Sequence, residues 1–277
     1  MIVRFLATRV QTLAGQPVIV ENKPGANGNI ANEIVVTSKP DGYTVLLAAS
    51  SAAIANRYVM KGVNHDPMKD LEPVASVFRV GLVLTVPPKS PGKTVADLIT
   101  HLKSKPTKVL HGVPTTSVLA ASELFKILTG TKGEAVNYKS MMDAAKDVAS
   151  GDIDYSFVDT TLGVGQAKAG RVRLIGTTTA KRLEAAPDVP TLAESGLKDY
   201  EYINFWAAWM AAKSPPEAVE KLSGWLRQVV EMEESRAFLR NQAGEIWPST
   251  PQDLRQQMVD HDKLWQRIVK EAGIQPQ

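Results

Sequence analysis

The sequence predicts an α/β protein of two lobes, each a mixed, mostly parallel sheet flanked by helices. Three observations carry this. Short apolar runs alternate with stretches of helical period along the whole chain, the pattern of sheets covered by helices. Two long apolar stretches, residues 74–86 and 203–211, lack strong turn signals and are read as strands crossing between lobes. The 277 residues, 44% hydrophobic and 22% charged, can fill one large core or two ordinary ones. The expected partition is lobe I from residues 1–82 plus 208–277 and lobe II from 83–207.

Ile2, Leu6, Val10 and Leu13 recur at helical spacing, so the chain opens in an amphipathic helix ending at Gly15. Arg4 and Arg9 break any apolar leader core, so this start does not read as a signal peptide. Residues 17–21 are β-branched and read as a short strand, followed by a loop over 22–28. A helix follows over 29–38, stopped by Pro40-Asp41-Gly42, and 43–48 is a continuously apolar, buried strand. Helical character resumes over 50–60. Thr94 and Asp97 form a capping box for a helix to Ser104. Strands at 108–111, 134–137, 153–158 and 172–178 alternate with helices at 118–128 and 141–149. Ser214-Pro215-Pro216-Glu217 is read as N-cap, N1 proline and N3 acid of a long helix. Thr250-Pro251-Gln252-Asp253 repeats the device for the last one.

Several function classes drop out. With no cysteine there is no disulfide, thiol nucleophile or cysteine-held metal. A net charge of +3 without any basic block argues against nucleic acid or an anionic membrane as main partner. No apolar run reaches the roughly 18 residues of a membrane span. The four histidines, His65, His101, His111 and His261, are not at metal-ligand spacing, and no nucleophile-elbow, dinucleotide or P-loop motif occurs. No catalytic residue, metal or cofactor is expected.

What remains is a set of polar strand-to-helix junctions, where open α/β sheets place ligands. Thr115, Thr116 and Ser117 precede a helix whose first N–H groups can hold an anion without lysine or arginine, or simply cap it. Ser50, Ser51 and Ala52 form a second small, hydroxyl-bearing junction, with tight packing as the alternative. Asp159 and Thr160 form a third, with Asp159 either accepting from a ligand or capping. Tyr138 and Lys139 end another strand, and Phe205 and Trp206 either wall a cleft or fill core.

The run from Gly15 to Gly28, GQPVIVENKPGANG, resembles the signature of the Bug/TctC family, periplasmic solute-binding proteins of tripartite tricarboxylate transporters. Pro40-Asp41-Gly42-Tyr43-Thr44, Asp66-Pro67 with Asp70, Tyr138-Lys139 and Ala180-Lys181-Arg182 continue it in order. Pro187-Asp188-Val189-Pro190-Thr191, Glu194-Ser195-Gly196 and Ser214-Pro215-Pro216 complete it. The resemblance implies a two-lobed Venus-flytrap fold without catalysis. It implies an organic carboxylate held between the lobes by Ser50–Ala52, Thr115–Ser117, Tyr138, Asp159–Thr160, Phe205 and Trp206. A periplasmic monomer delivering its ligand to membrane transporter subunits is implied with it. Relative to the family, the sequence as given starts in the helix that follows an expected first strand and Pro/Gly-rich loop, through truncation, a late start or a real lack of those parts. Val118 stands where many members carry histidine, and Ser140-Met141-Met142 replaces a small, glycine-containing turn. Met141, Met142, Val118 and Trp206 together tilt the expectation toward an aromatic or medium-chain acid over citrate. The alternatives are a sensing module for a membrane partner, or an enzyme on the same scaffold, for which Asp159 and Lys139 are the only candidate acid–base groups.

Overall fold

Gly15, with φ at 63°, ends α1 (Ile2–Ala14) in the left-handed conformation that suits a helix C-terminus. The computed structural model describes residues 2–241 and 244–276. The chain divides into two compact units, Met1–Arg79 with Asn204–Gln277, and Val80–Ile203. Unit 1 continues with α2 (Asn29–Val36), β1 (Val45–Ala49), a π-helical turn at Ser51–Ala55, α3 (Asn56–Val59), α4 (Pro67–Asp70) and β2 (Leu71–Val80). Unit 2 holds β3 (Leu82–Val86), α5 (Val95–Ser104), β4 (Leu110–Val113), α6 (Thr116–Thr129) and β5 (Glu134–Asn137). It ends with α7 (Met141–Ser150), β6 (Tyr155–Asp159), α8 (Thr160–Lys168) and β7 (Arg173–Thr177). The chain then returns to unit 1 through β8 (Asn204–Ala211), α9 (Pro216–Glu231), α10 (Glu233–Asn241), β9 (Glu245–Ile246) and α11 (Pro251–Ala272). No helix of the described residues is long and apolar enough to cross a membrane.

The sheet of unit 1 runs β1-β8-β2-β9. Leu46, Ile54, Leu71, Phe205, Trp209, Leu254 and Met258 bury one shared core against it. The Met258 sulfur accepts the Trp209 indole N–H at 3.3 Å, so the only polar atom of that ring is satisfied. Phe5 of α1 stacks on Phe238 of α10 with ring centroids 4.1 Å apart. Two expectations fail in this unit. Residues 17–21 form no strand: β1 is the edge of the sheet, no described strand lies beyond it, and Ile19 is 84% exposed. β-branched composition only makes a strand where a ladder and a half-buried face exist to receive it. Ser214 is not an N-cap either; Pro215 occupies that position and the Ser214 hydroxyl donates to the Ala211 carbonyl. Pro216 forces the residue before it out of the helical region, and Pro215 sits at ψ 131°.

The sheet of unit 2 runs β5-β4-β6-β3-β7. β4 is parallel to both β5 and β6, as successive βα units require. β3 is antiparallel to β6 and β7, and in unit 1 β8 is antiparallel to β1. Both sheets are flanked by helices, as expected, and the parallel ladders of unit 2 are those of the βα repeats, β4 with β5 and β6. Strands that carry the chain from one unit to the other arrive without a crossover helix and run against their neighbours. Gly81 alone separates β2 from β3; a Cβ there would lie 2.4 Å from Thr179 Cγ2, so a side chain at this position would force its neighbour to shift. Phe125, Tyr155, Phe157 and Tyr200 interlock as tilted, edge-on and stacked rings in the core.

Candidate functional site

Because β5, β4 and β6 are adjacent and parallel, their carboxyl ends lie side by side, and each feeds a helix: α7, α6 and α8 in turn. Three helix N-termini thus open along one edge of unit 2. Each has a side-chain cap. Thr115 Oγ1 accepts from Val118 N–H, Ser140 Oγ from Asp143 N–H, and Asp159 Oδ1 from Leu162 N–H at 2.8 Å. A cap satisfies one of the first-turn donors; those at N1 and N2 have no intrahelical acceptor and carry the positive end of the helix dipole. Gly112 lets α7 and the segment entering β6 pack close against β4, since a Cβ there would lie 2.9 Å from Ile153 Cδ1 and 3.0 Å from Ala144 Cβ.

Most of the side chains singled out in unit 2 have internal work. The Thr115 and Ser117 hydroxyls share a hydrogen bond at 2.9 Å, and both Thr116 and Ser117 are largely buried. Thr160 is buried and its hydroxyl donates to the Gly81 carbonyl. Tyr138 donates to Asp147 at 2.6 Å; burial and that carboxylate push its phenol well above the ordinary range. One oxygen of the Asp159 carboxylate serves the cap. What the edge offers a ligand is therefore backbone N–H and dipole rather than a ring of free side chains. Val118, in the first turn of α6, is 0% exposed and so offers a ligand no apolar surface. Met141 lends its sulfur to the Asp159 N–H at 3.3 Å, whereas Met142 stays exposed. The Asp143 carboxyl, two positions into α7, is held below its usual range by the Ser140 hydroxyl and by Lys146.

Unit 1 gathers the other group. β1 pairs with β8 so that Ala49 faces Trp206, which sets Ser50, Ser51 and Ala52 beside Phe205 and Trp206. The pin is Asn204, a residue the sequence reading passed over. Its Oδ1 accepts both the Ser50 hydroxyl at 2.9 Å and the Ser51 N–H at 3.2 Å, while Ser50 Oγ accepts the Phe205 N–H. A lone amide opening an apolar run was the available signal, because a polar side chain there must find partners. Ser50 is fully buried and structural in its contacts. Ala52 sits against Gly28, where a Cβ would approach its own to 3.1 Å, and its carbonyl accepts from Asn32. Phe205 is core, edge-on to Trp247 and His261, whereas Trp206 is only half-buried and stacks on Phe78 at 5.6 Å. Among the described residues no cluster of three or more histidine, aspartate or glutamate side chains could hold a metal ion.

Comparison with known proteins supplies what the geometry does not. A family model described as the tripartite tricarboxylate transporter family receptor, TctC, matches residues 2–274. A UPF0065 protein of Bordetella bronchiseptica is 32% identical over 99% of this chain and 81% of its own length. Among solved structures, Rpa4515 of R. palustris with adipate superposes with a TM-score of 0.87 at 29% identity, covering 100% of this chain and 93% of that one. A second, described as a periplasmic transporter, gives 0.84 at 29% identity, covering 99% of this chain and 92% of that one.

Proposed function

Since this chain belongs to the tripartite tricarboxylate transporter receptor family, whose members are solute-binding proteins and not enzymes, we propose that it binds a small organic carboxylate and delivers it to a membrane transporter of that type. The observation that carries the ligand class is the row of three helix N-termini at the carboxyl ends of β5, β4 and β6. Such a row holds an anion through fixed main-chain donors and helix dipoles. Adipate in a relative of 29% identity supports a carboxylate over other anions.

Thr115, Thr116 and Ser117, with Asp159 and Thr160, are the proposed grip in unit 2, acting mainly through main-chain N–H groups; Tyr138 borders it. Ser51, Ala52 and Trp206 are the proposed ligand contacts of unit 1, with buried Ser50 and Phe205 holding that junction in place. Exposed Met142 and half-buried Trp206 favour a medium-chain or aromatic acid over citrate. The protein works as a periplasmic monomer in this reading.

Thr161→Glu tests it without confusing binding with folding. Thr161 is exposed in the first turn of α8, where an added carboxylate favours the helix dipole yet repels a bound anion. Calorimetry should give adipate or benzoate tighter binding than citrate on the natural chain. The variant should lose tenfold or more with an unchanged or slightly raised Tm. Equal binding by the variant would remove α8 from the site; no binding of any acid by the natural chain would sink the function itself.

A further inference from the structure

At the amino end of β4, opposite the Thr115–Ser117 junction, unit 2 carries a groove of about 570 Å³. Lys103, Lys105, Lys108 and Lys132 line it, and Glu134 is the one carboxylate in its wall. Two of these cations are spent. Lys105 is bound by Asp154 at 2.6 Å and Lys108 pairs with Glu134. Lys103 and Lys132 have no carboxylate within ion-pairing distance among the described residues, and both are exposed. The C-terminus of α5 accounts for Lys103, since a helix end attracts a cation. It does not account for Lys132, which follows α6 in the turn leading to β5.

The groove borders an unpaired backbone as well. β5 is the edge of its sheet, with β4 on its inner side, and Glu134, Ala135 and Asn137 are exposed. Leu102, Val109 and Gly133 make the lining partly apolar. Excess positive charge, an apolar recess and an open strand edge together suit one kind of occupant. We infer that this groove docks an extended acidic segment of a partner protein, which adds as a strand to β5 and sets its carboxylates against Lys103 and Lys132. A compact anion such as phosphate is a poorer fit, because the lysines are spread from α5 to β5 and none is buried. A flat lipid surface would reach the rim of the groove but not its floor. The surface lies at the opposite end of β4 from the proposed acid site, so the inference does not depend on which acid is bound.

The test uses the full chain and a fluorescein-labelled octapeptide alternating glutamate and valine, followed by anisotropy. Expected are saturable binding, tenfold or greater weakening in Lys103→Glu/Lys132→Glu, weakening with added salt, and loss when alternate peptide N–H groups are N-methylated. Far-UV circular dichroism and adipate calorimetry on the double variant separate docking from folding and from acid binding. Peptide binding that ignores the charge reversal overturns the inference. So does absence of peptide binding, or binding of anionic vesicles in its place. Peptide binding without any adipate binding keeps the docking surface and rejects the proposed function.

Discussion

Replacing His111 by phenylalanine isolates one proton of the folding equilibrium. His111 lies on β4, 0% exposed, with its ring stacked on Tyr155 at 5.3 Å and 8°. Among the described residues neither ring nitrogen has a hydrogen-bond partner; Glu123 stands 4.0 Å from Nε2, and Lys126 adds a like charge nearby. Burial, aided by Lys126, lowers its pKa to about 3. In the unfolded chain the value returns to roughly 6.5. Between those limits the unfolded state takes a proton that the folded state refuses, so stability is full above the unfolded value and falls as the pH drops. Each pH unit costs about 1.4 kcal/mol, and integration from pH 7 to 4.5 gives about 2.5 kcal/mol. A folded value of 4 would change that sum by only about 0.1 kcal/mol. Urea titration followed by far-UV circular dichroism at the two pH values measures it. All five tryptophans lie in unit 1, so their emission reports that unit separately. His261, lowered to about 4 by burial in unit 1, is present in both proteins and cancels. The natural chain should lose about 2.5 kcal/mol more than the variant over this range. Equal losses would mean that His111 accepts its proton inside the fold, and that the burial argument is wrong.

Asn204→Ala removes the acceptor shared by Ser50 and Ser51 and leaves two buried donors unpaired, costing about 2–3 kcal/mol in tryptophan-detected urea unfolding. A cost near zero would show the pin to be incidental. Gly81→Ala drives a methyl to 2.4 Å from Thr179 Cγ2, a group fixed because Thr179 Oγ1 bonds both Thr177 and Lys181. About 1–3 kcal/mol of destabilisation should follow, read as a lower Tm. Thr250→Ala deletes one half of the capping box on α11 and should cost about 1 kcal/mol by the same melting measurement.

Legibility in the sequence tracked how local each signal was. Thr94 with Asp97 and Thr250 with Asp253 were readable as capping boxes because a cap is settled within four residues. The junctions at Ser50, Thr115 and Asp159 were readable because strand, polar turn and helix follow one another in the chain. Residues 17–21 misled, since a strand depends on a neighbour no local pattern reveals. Pairing direction was hidden for β3 and β8, whose partners are distant in sequence. Which hydroxyls are already spent was equally hidden: Ser50 depends on Asn204, 154 positions away, and Thr160 on Gly81, 79 away.

The caps of unit 2 bear on how cargo preference can change. Thr115, Ser140 and Asp159 hold helix ends in place whatever acid is carried, so folding alone is enough to retain them. A receptor built this way separates its grammar from its vocabulary. The polar residues that make the junctions recognisable say that an anion is welcome, and say little about which one. In the proposed reading, discrimination falls to side chains outside the caps, such as the exposed Met142, which can be exchanged without disturbing a cap. Two receptors sharing every residue of the grip can therefore differ completely in what they carry.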